Sequence, residues 1–468
     1  MRQHVEREVK LVPGEGFKLP ALGRELPRRV FVSTYHDTSD LRLARHGVTF
    51  RYRTEDGTGV WQLKLPRGDA RLELEQAGPP ARPPEALLAL LAAYLRGDAL
   101  VRVARLRTRR QSMHADGAEI VDDSVAVLDG QRVVSRFREL EVELQDGDGE
   151  ALHRMEKALR EAGAESGESR PKLYRALDLA YPPTLAERSP GATPLNALRA
   201  ALAVQYTRLL AHDPGTRLGI DPEDLHQMRV ATRRARAFLR AARPLVRSKW
   251  VDGLRDELGW LGSALGPARD LDVLLAHVSA EVGALGVDGR SLQPLVESLK
   301  AEHATAREAA VAALSEERYF ALLDRLEQSE PRPASTATET LTDLWWAEFK
   351  RTRRTFHRLD AEAGDDALHA ARIRVKRARY AAELAAHELG KPGERVVDAA
   401  KRLQDILGEH QDAFVAEDRI AAWANDEADG KTIVAPLLER QRDRRLQARV
   451  EWPDAWKRLA KRAREARP

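Results

Sequence analysis

Cysteine is absent from this chain of 468 residues, and aromatic residues account for only 5% of it. Without cysteine there can be no disulfide, no thiol nucleophile and no cysteine-based zinc or iron–sulfur site. The scarcity of aromatic rings leaves few side chains for stacking on nucleobases, so we do not expect nucleic acid to be the partner.

Long apolar runs are missing too. The longest apolar stretch, residues 86–95, is too short to span a bilayer. Five of the first ten residues are charged, where a signal peptide needs an apolar segment. We therefore expect no membrane association and a cytoplasmic location.

Charge is abundant but nearly balanced. The chain has 77 Lys and Arg residues against 73 Asp and Glu residues, a net charge of +4 that does not by itself demand a polyanionic partner. The distribution of charge along the chain is therefore more informative than the total. The length predicts two or three domains, each large enough to have its own hydrophobic core.

The first 180 residues or so carry the alternating pattern of β-strands. Turn sequences such as Asp116-Gly117 separate the runs, which favours antiparallel pairing. Two helical stretches lie near residues 84–96 and 149–163. Eight strands are predicted, near residues 4–12, 30–36, 48–54, 60–65, 71–76, 101–111, 117–125 and 136–144. Eight antiparallel strands usually close into a barrel, and we expect this fold for residues 1–182.

A proline-rich segment, residues 183–194, is the predicted linker to a second domain. From residue 195 to residue 468 the strand signals disappear, and Ala, Leu, Arg and Glu recur at helical spacing. A loose stretch, residues 328–340, divides this all-α part in two. We predict two repeats, at about 195–327 and 341–468.

A duplicated motif supports that division. The pattern His-x-x-Arg-x-x-x-(Arg/Lys)-Arg-x-Arg begins at His226 and again at His369. A second pair of matching segments ends at Asp270 and at Asp412. Two motifs at nearly the same offset predict two related helical bundles about a pseudo-twofold axis. The two aspartates are interpreted as helix-end or Arg-orienting groups.

Charged residues alternate along the predicted strands. Glu6, Glu8 and Lys10 share one face of the first strand. The alternation recurs at Arg51 and Arg53, at Arg71, Glu73 and Glu75, at Arg105, Arg107 and Arg109, and at Glu139, Glu141 and Glu143. Buried charges are stable only when they are paired or bound to ions. A tunnel with both signs is therefore suited to divalent metal on its carboxylates, Mg²⁺ or Mn²⁺, and to a polyanion on its bases.

The first 180 residues resemble the CYTH domain of the triphosphate tunnel metalloenzymes, whose hallmark is a first-strand Glu-x-Glu-x-Lys. The resemblance extends through Tyr35-His-Asp37-Thr38, Leu41 to Gly47, Arg51-Tyr-Arg53, Gln62-Leu-Lys64, Asp123, Glu139-Leu-Glu141 and Ser169-Arg-Pro-Lys172-Leu-Tyr174. It implies a metal-dependent reaction at a triphosphate held inside the barrel.

The resemblance also implies roles for individual residues. The catalytic residues would be Glu6, Glu8, Lys10 and Lys64. The residues that bind the triphosphate would be Lys10, Arg51, Arg53, Lys64, Lys172 and a basic residue of the sixth strand. The metal ligands would be Glu6, Glu8, Asp123, Glu139 and Glu141. The basic residue of the sixth strand is Arg107 or Arg109. Glu143 is either a further ligand or a residue of the tunnel mouth. No Ser-His-Asp or Cys-His set is suggested, so direct attack by metal-activated water is expected.

The duplicated motif places its basic residues on one face of each helix. In the first copy His226, Arg229, Arg233 and Arg236 lie within a narrow arc, with Arg234 beside it. The second copy has His369, Arg372, Lys376, Arg377 and Arg379, although Glu383 stands where the first copy has Arg240. Without carboxylates nearby, each histidine is interpreted as a phosphate-contacting or structural residue and not as a metal ligand.

Residues 193–468 resemble a CHAD domain, a histidine-bearing helical module that often follows a CYTH domain and is associated with inorganic polyphosphate. We therefore expect a cytoplasmic enzyme that hydrolyses inorganic triphosphate and binds polyphosphate, with association to polyphosphate granules as a possibility. One alternative is a non-catalytic polyphosphate-binding or granule protein. The others are a nucleoside or thiamine triphosphatase and an adenylate cyclase.

Overall fold

The structure is a computed structural model that describes residues 1–68, 70–145, 149–166, 170–181, 193–285, 288–334, 339–360, 362–426 and 430–467. It divides into two compact units, Met1–Glu187 and Arg188–Pro468. Most of the predicted linker (183–194), Ser169 and part of the loose stretch at 328–340 lie outside the described residues. The first unit is built on an antiparallel sheet and the second is helical, which confirms the predicted fold class.

One sheet organises the first unit. Its strands are β1 (Arg2–Glu6), β2 (Glu8–Pro13), β3 (Arg24–Glu25), β4 (Arg29–Asp37), β5 (Thr49–Glu55), β6 (Thr58–Arg67), β7 (Ala70–Ala77), β8 (Val101–Ala115), β9 (Ala118–Asp129), β10 (Arg132–Leu144) and β11 (Ala164–Glu165). They are hydrogen-bonded in the order β1-β7-β6-β5-β4-β8-β9-β10-β2-β11, with β3 beside β8.

The two ends of this order are joined by the chain itself. β1 pairs with β7 and β2 pairs with β10, yet the two strands are separated only by Arg7. The sheet therefore closes on itself. The β1–β2 segment and seven further long strands form the wall of an eight-stranded tunnel, as the alternation predicted.

Short helices complete this unit: α1 (Arg42–Arg45), α2 (Glu85–Leu90), α3 (Ala92–Leu95), α4 (Gly149–Glu161) and α5 (Lys172–Ala176). Helices α2, α3 and α4 lie in the two stretches predicted to be helical, whereas α5 was not predicted. Helix α5 begins directly after Pro171, which fits the preference for proline at helix starts. This helix carries Lys172 into the tunnel.

Two apolar clusters hold the tunnel in shape. Under α4, Leu159 packs on Leu11, Ile120 and Leu140 of the sheet, and all four are fully buried. At α5, Leu173 and Tyr174 pack with residues of β4, β8 and β9. The charged lining is thus enclosed by apolar packing on both sides of the wall.

The second unit contains, among its described residues, helices α6 (Pro194–Leu218), α7 (Pro222–Ala241), α8 (Ser248–Ala284), α9 (Gln293–Ala313), α10 (Glu317–Glu327), α11 (Leu341–Phe356), α12 (Asp365–Leu384), α13 (Ala386–Asp426) and α14 (Gly430–Glu465). Helix α13 is broken near its start at Gly390, whose φ of 56° lies in the left-handed region. Across the described residues, none of the helices combines the length and apolarity needed to cross a bilayer.

The duplicated motif occupies equivalent helices. His226 and His369 lie on α7 and α12, while Asp270 and Asp412 lie on α8 and α13. Helices α7 and α12 contact each other directly, and the rings of Phe238 and Tyr380 meet edge to face at 6.3 Å. The two halves also share an apolar core formed by α8, α9, α13 and α14.

Candidate active site

Side chains of both signs line the tunnel. Glu6, Glu8 and Lys10 all point inward, because the interruption at Arg7 leaves the alternation of the first strand intact. The charged residues of the lining are Glu6, Glu8, Lys10, Arg51, Arg53, Lys64, Arg71, Glu73, Glu75, Arg110, Glu141, Glu143 and Lys172. Six are acidic and seven are basic, so the tunnel carries nearly balanced charge.

The carboxylates predicted to bind metal form two separate groups. One group consists of Glu6, Glu8 and Glu143, whose nearest oxygens lie within 4.8 Å of one another. The other consists of Asp123, Glu139 and Glu141, with the same close spacing. Glu143 therefore faces the tunnel and joins the first-strand acids.

Bases compensate the group formed by Asp123, Glu139 and Glu141. Arg110 donates two hydrogen bonds to Asp123, at 2.9 and 2.8 Å. Lys172 Nζ contacts all three carboxylates, at 3.0 Å in the case of Asp123 and Glu141. The three acids are at most 4% exposed, so this group is a buried ion network that holds α5 against β9 and β10.

The group formed by Glu6, Glu8 and Glu143 has fewer partners. Lys64 Nζ lies 2.7 Å from Glu6, but Lys10 is 3.5 Å from Glu8 and Arg110 is 3.9 Å from Glu143. Burial, reinforced by the charge of Glu141, raises the pKa of Glu143 to about 7. Burial also raises the pKa of Glu8, whereas Lys64 outweighs burial and holds the pKa of Glu6 below its usual value.

Arg51 is held rigidly in the wall. Its Nε donates to the side-chain oxygen of Gln62 at 2.7 Å, and its Nη1 donates to the hydroxyl of Tyr35 at 3.0 Å. Glu75 accepts a hydrogen bond from the Gln62 amide, which turns the amide oxygen toward Arg51. The free edge of the guanidinium therefore faces the tunnel, where Glu73 lies 4.0 Å from Nη2.

The prediction for the sixth strand of the tunnel, β8, was wrong. Arg107 and Arg109 lie on the outer face, and Arg110 lines the tunnel instead. The reason is strand alternation: Leu106 and Thr108 are buried on the inner face, and Arg110 continues their two-residue period. The sequence shows that Leu106, Thr108 and Arg110 share one face of the strand and Arg107 and Arg109 the other, but it does not show which face lines the tunnel.

Two further groups of the lining were not assigned roles from sequence. Glu73 lies 3.2 Å from Lys64, which places this base between Glu6 and Glu73. Arg71 donates a hydrogen bond to the hydroxyl of Tyr181 at 2.8 Å. The alternation of Arg71, Glu73 and Glu75 was visible in the sequence, but nothing in it indicated these partners.

In the helical unit, the signature arginines lie over glycines of the following helix. Arg229 donates to the carbonyl oxygen of Gly262 and lies 3.3 Å from Asp270. A Cβ added at Gly266 would come within 2.9 Å of Arg229 Nη1, so glycine makes room for this side chain. Asp270 lies in the interior of α8, so it orients Arg229 and does not mark a helix end.

The basic faces of α7 and α12 converge. Burial lowers the pKa of Lys376 to about 7, and the charges of Arg372 from α12 and Arg233 from α7 contribute to this shift. None of these three side chains has a carboxylate within 4.0 Å among the described residues. His369 Nδ1 lies 2.6 Å from the side-chain oxygen of Gln411, which is a hydrogen-bonding role and not a metal-ligating one.

Three of the predicted polyphosphate-binding residues lie in other surroundings. Arg234 and Arg379 are paired with the same carboxylate, Glu383, at 2.6 and 3.4 Å. Arg377 has different neighbours from Lys376: burial and the nearby charges of Arg240 and Arg374 lower its pKa. His226 and Arg236 stay on the face of Arg229, with Arg236 against Gly259.

A closed antiparallel tunnel with acids and bases on its inner wall, followed by a duplicated helical unit, defines a two-domain protein of the triphosphate tunnel class. The family models agree: residues 4–175 match the CYTH domain and residues 200–421 match the CHAD domain. The chain belongs to the family of proteins in which a CYTH domain precedes a CHAD domain. Members of the CYTH family are metal-dependent triphosphatases and cyclases.

Relatives cover nearly the whole chain. Proteins described as uncharacterized from two strains of Mycobacterium tuberculosis, CDC 1551 and H37Rv, are each 32% identical over 498 aligned positions, covering 97% of this chain and 94% of theirs. Among solved structures, PptA from Streptomyces chartreusis is 22% identical, covers 57% of this chain and 100% of its own, and has a TM-score of 0.48. The CHAD domain from the plant Ricinus communis is 26% identical, covers 57% and 92%, and has a TM-score of 0.46.

Proposed function

We propose that the first unit hydrolyses inorganic triphosphate in its tunnel with a divalent metal, and that the second unit binds inorganic polyphosphate. The observation that carries the first proposal is the composition of the lining, in which the three-carboxylate group of Glu6, Glu8 and Glu143 faces a set of bases. Carboxylates suit a hard divalent cation, and Lys and Arg suit phosphate oxygens.

Glu6, Glu8 and Glu143 are the best candidates for holding Mg²⁺ or Mn²⁺. Their oxygens are close together, and Glu8 and Glu143 have no base closer than 3.5 Å among the described residues, whereas Lys172 contacts all three of Asp123, Glu139 and Glu141. A bound divalent cation would neutralise phosphate charge and lower the pKa of a coordinated water. The raised pKa values of Glu8 and Glu143 are consistent with a site designed for added positive charge.

The covered aromatic rings favour an inorganic substrate. The lining contains only two aromatic residues among those described, Phe31 and Tyr35. Arg53 lies over the Phe31 ring at 4.2 Å, and Arg51 lies 5.8 Å from the Tyr35 ring. Both residues are only 3% exposed, so neither ring is available to stack on a nucleobase or a thiamine ring, whereas a triphosphate needs only the charged groups.

The bases perform the binding and charge neutralisation. Arg51, Arg53, Lys64 and Arg110 line the tunnel together with Lys10, so that the phosphoryl groups would be contacted from several strands. Because the strands fix their positions before substrate arrives, little reorganisation is needed as charge shifts to the leaving phosphate. The described lining contains no Ser, Cys or His, which supports direct attack of water on the terminal phosphorus.

The substrate proposal is tested by phosphate release from four compounds at equal concentration: inorganic triphosphate, long-chain polyphosphate, ATP and thiamine triphosphate. We expect triphosphate to have the highest kcat/KM in Mg²⁺ or Mn²⁺, and no release in excess chelator. A higher kcat/KM for ATP or thiamine triphosphate would make the enzyme a nucleoside or thiamine triphosphatase. No release from any of the four would favour a binding protein instead.

The helical unit supports polyphosphate binding through bases that have no carboxylate within 4.0 Å among the described residues. Arg233, Arg372 and Lys376 converge from two helices, although like charges at this density repel one another. A polyanion laid across α7 and α12 would remove that repulsion. The Arg229–Asp270 and His369–Gln411 contacts hold the flanking side chains in fixed positions.

A further inference from the structure

The arginines that alternation places outside the tunnel form a cleft on its outer wall. Along β8 the outward residues are Arg107 and Arg109, and along β10 they are Arg136 and Arg138. Strand β9 runs between them. The register places Ala126 between Arg107 and Arg136, and Ser124 between Arg109 and Arg138.

This register fixes the dimensions of the cleft. Residues two apart on a strand are about 7 Å apart, and strands β8 and β10 lie about 10 Å apart across β9. Four guanidinium-bearing side chains therefore stand around a floor of one hydroxyl and one methyl group. The cleft that they enclose has a volume of about 340 Å³.

Most of this positive charge is uncompensated. Arg138 donates to both oxygens of Asp122, at 2.8 and 2.5 Å, so its charge is neutralised and its position fixed. Arg107, Arg109 and Arg136 have no carboxylate within 4.0 Å in the described part of the chain. Arg109 and Arg136 are exposed to solvent, so they are accessible to a ligand.

The floor is shaped for close approach. Ser124 is exposed and offers a hydroxyl donor, while Ala126 is 7% exposed and projects only a methyl group. A tetrahedral anion can therefore reach the level of the sheet, where guanidinium groups on both sides can each donate paired hydrogen bonds. Val125 and Phe137 complete the lining, but both pack with the apolar cluster of Leu173 and Tyr174, where Arg175 covers the Phe137 ring at 3.9 Å. The cleft therefore presents charge and not a stacking surface.

We propose that this cleft is a second anion-binding site, outside the tunnel, for a condensed phosphate of three or more phosphate groups. Two rows of arginines about 7 Å apart require a ligand longer than one phosphate. A flexible chain of phosphates fits this cleft better than a nucleic acid does, because the ring of Phe137 is covered by Arg175 and is not available for stacking. The choice of condensed phosphate over other polyanions rests on the proposed function, whereas the site itself does not.

The absence of cysteine from the chain allows a direct test. The variant Ser124→Cys places one thiol on the floor of the cleft, and Ser39→Cys places one at an exposed position elsewhere in the same unit. Each full-length variant is alkylated with neutral iodoacetamide and with anionic iodoacetate. The ratio of the two rates reports the local potential and is independent of the pKa of the thiol.

We expect the iodoacetate-to-iodoacetamide ratio to be several-fold higher for Ser124→Cys than for Ser39→Cys, and to fall with added salt. Tripolyphosphate in metal-free buffer should slow alkylation of Ser124→Cys only. The concentration of tripolyphosphate needed to protect the thiol should rise about tenfold or more when Arg107→Ala, Arg109→Ala and Arg136→Ala are added to this variant. Lysine at the three positions should restore the potential but only part of the protection, because lysine lacks the guanidinium fork.

Equal rate ratios for the two cysteines, or protection that is unchanged in the triple alanine variant, would overturn the site. Equal protection by a single-stranded oligonucleotide at matched phosphate concentration would overturn the assignment to condensed phosphate. Because the assay contains no divalent metal and probes a residue outside the tunnel, its outcome does not depend on hydrolysis. Absence of triphosphate hydrolysis in the tunnel would not affect this result. Absence of binding in the outer cleft would likewise not contradict hydrolysis in the tunnel.

Discussion

Glu8 and Glu143 are direct cross-strand partners, Glu8 on β2 and Glu143 on β10, and both side chains point into the tunnel. Like charges at opposed positions destabilise a sheet unless a cation lies between them. The nearest bases, Lys10 for Glu8 and Arg110 for Glu143, are no closer than 3.5 Å. This pair therefore connects the stability of the wall to its proposed metal chemistry.

The variants Glu8→Gln and Glu143→Gln should each reduce metal-dependent triphosphate hydrolysis by about 100-fold or more, because a metal-binding charge is lost. Without metal, their melting temperatures should equal or exceed that of the wild type, since the repulsion is relieved. Phosphate release and calorimetry with and without Mn²⁺ measure both effects. The exposed Glu15→Gln is the control. Activity within about threefold of wild type in both variants would contradict the assigned site.

Arg110→Ala should lower kcat/KM for triphosphate by about 100-fold, since it removes a tunnel base and leaves Asp123 without its bidentate partner. Arg105→Ala is the matched control on the same strand, because its side chain hydrogen-bonds only the Gly130 carbonyl oxygen among the described residues. Steady-state kinetics of both variants would decide the question. An equal loss of kcat/KM in Arg110→Ala and Arg105→Ala would show that the inward and outward faces of β8 have been assigned incorrectly.

Replacing Lys172 with methionine should destabilise the first unit by about 3–5 kcal/mol, because the carboxylates of Asp123, Glu139 and Glu141 would lose the base that contacts all three. Calorimetry of the full chain measures the unfolding transition of this unit. The exposed Lys18→Met serves as the control. A melting temperature like that of the wild type would mean that this network contributes little to stability.

Long-chain polyphosphate should bind the full chain with an affinity that falls steeply with salt, because binding to Lys and Arg releases counterions. The slope of the logarithm of the affinity against the logarithm of the salt concentration should become shallower by about four units in the quadruple variant Arg229→Ala, Arg233→Ala, Arg372→Ala and Lys376→Ala. Titrations between low and physiological salt measure it. Duplex DNA that competes equally at matched phosphate would indicate a general polyanion binder, and an unchanged slope would place binding elsewhere.

The affinity for polyphosphate should also decrease as the pH rises from about 6 to 8. With a pKa of about 7, Lys376 is protonated at the lower pH and mostly neutral at the higher, so one positive charge is lost. Arg372, Arg233 and Arg379, whose charges act on Lys376, keep their charge throughout. The carboxylate that acts on Lys376 is Asp412, whose pKa is raised by burial. Lys376→Arg should remove the dependence. A pH profile shared by wild type and variant would exclude Lys376 as its source.

Much of this protein followed from its sequence alone. The two-residue alternation of the sequence predicted eight strands and placed Glu6, Glu8 and Lys10 on the inward face, because successive side chains of a strand point to opposite faces of the sheet. The repeated histidine motif predicted two related helical halves, and its two copies lie on equivalent helices of these halves, α7 and α12. These properties depend on local sequence patterns, so they can be predicted without knowing which distant residues pack against each element.

Only the tertiary structure decided what depends on register and on contacts between distant segments. Pairing placed Arg110, and not Arg107 or Arg109, beside Asp123. It also brought Glu143 to Glu8, and packing of α7 on α12 gave Arg234 a carboxylate from the other repeat. A strand pattern states which residues share a face, but it does not state which charge lies opposite. For Glu8 and for Arg234 the opposing charge comes from a residue more than 100 positions away in the chain.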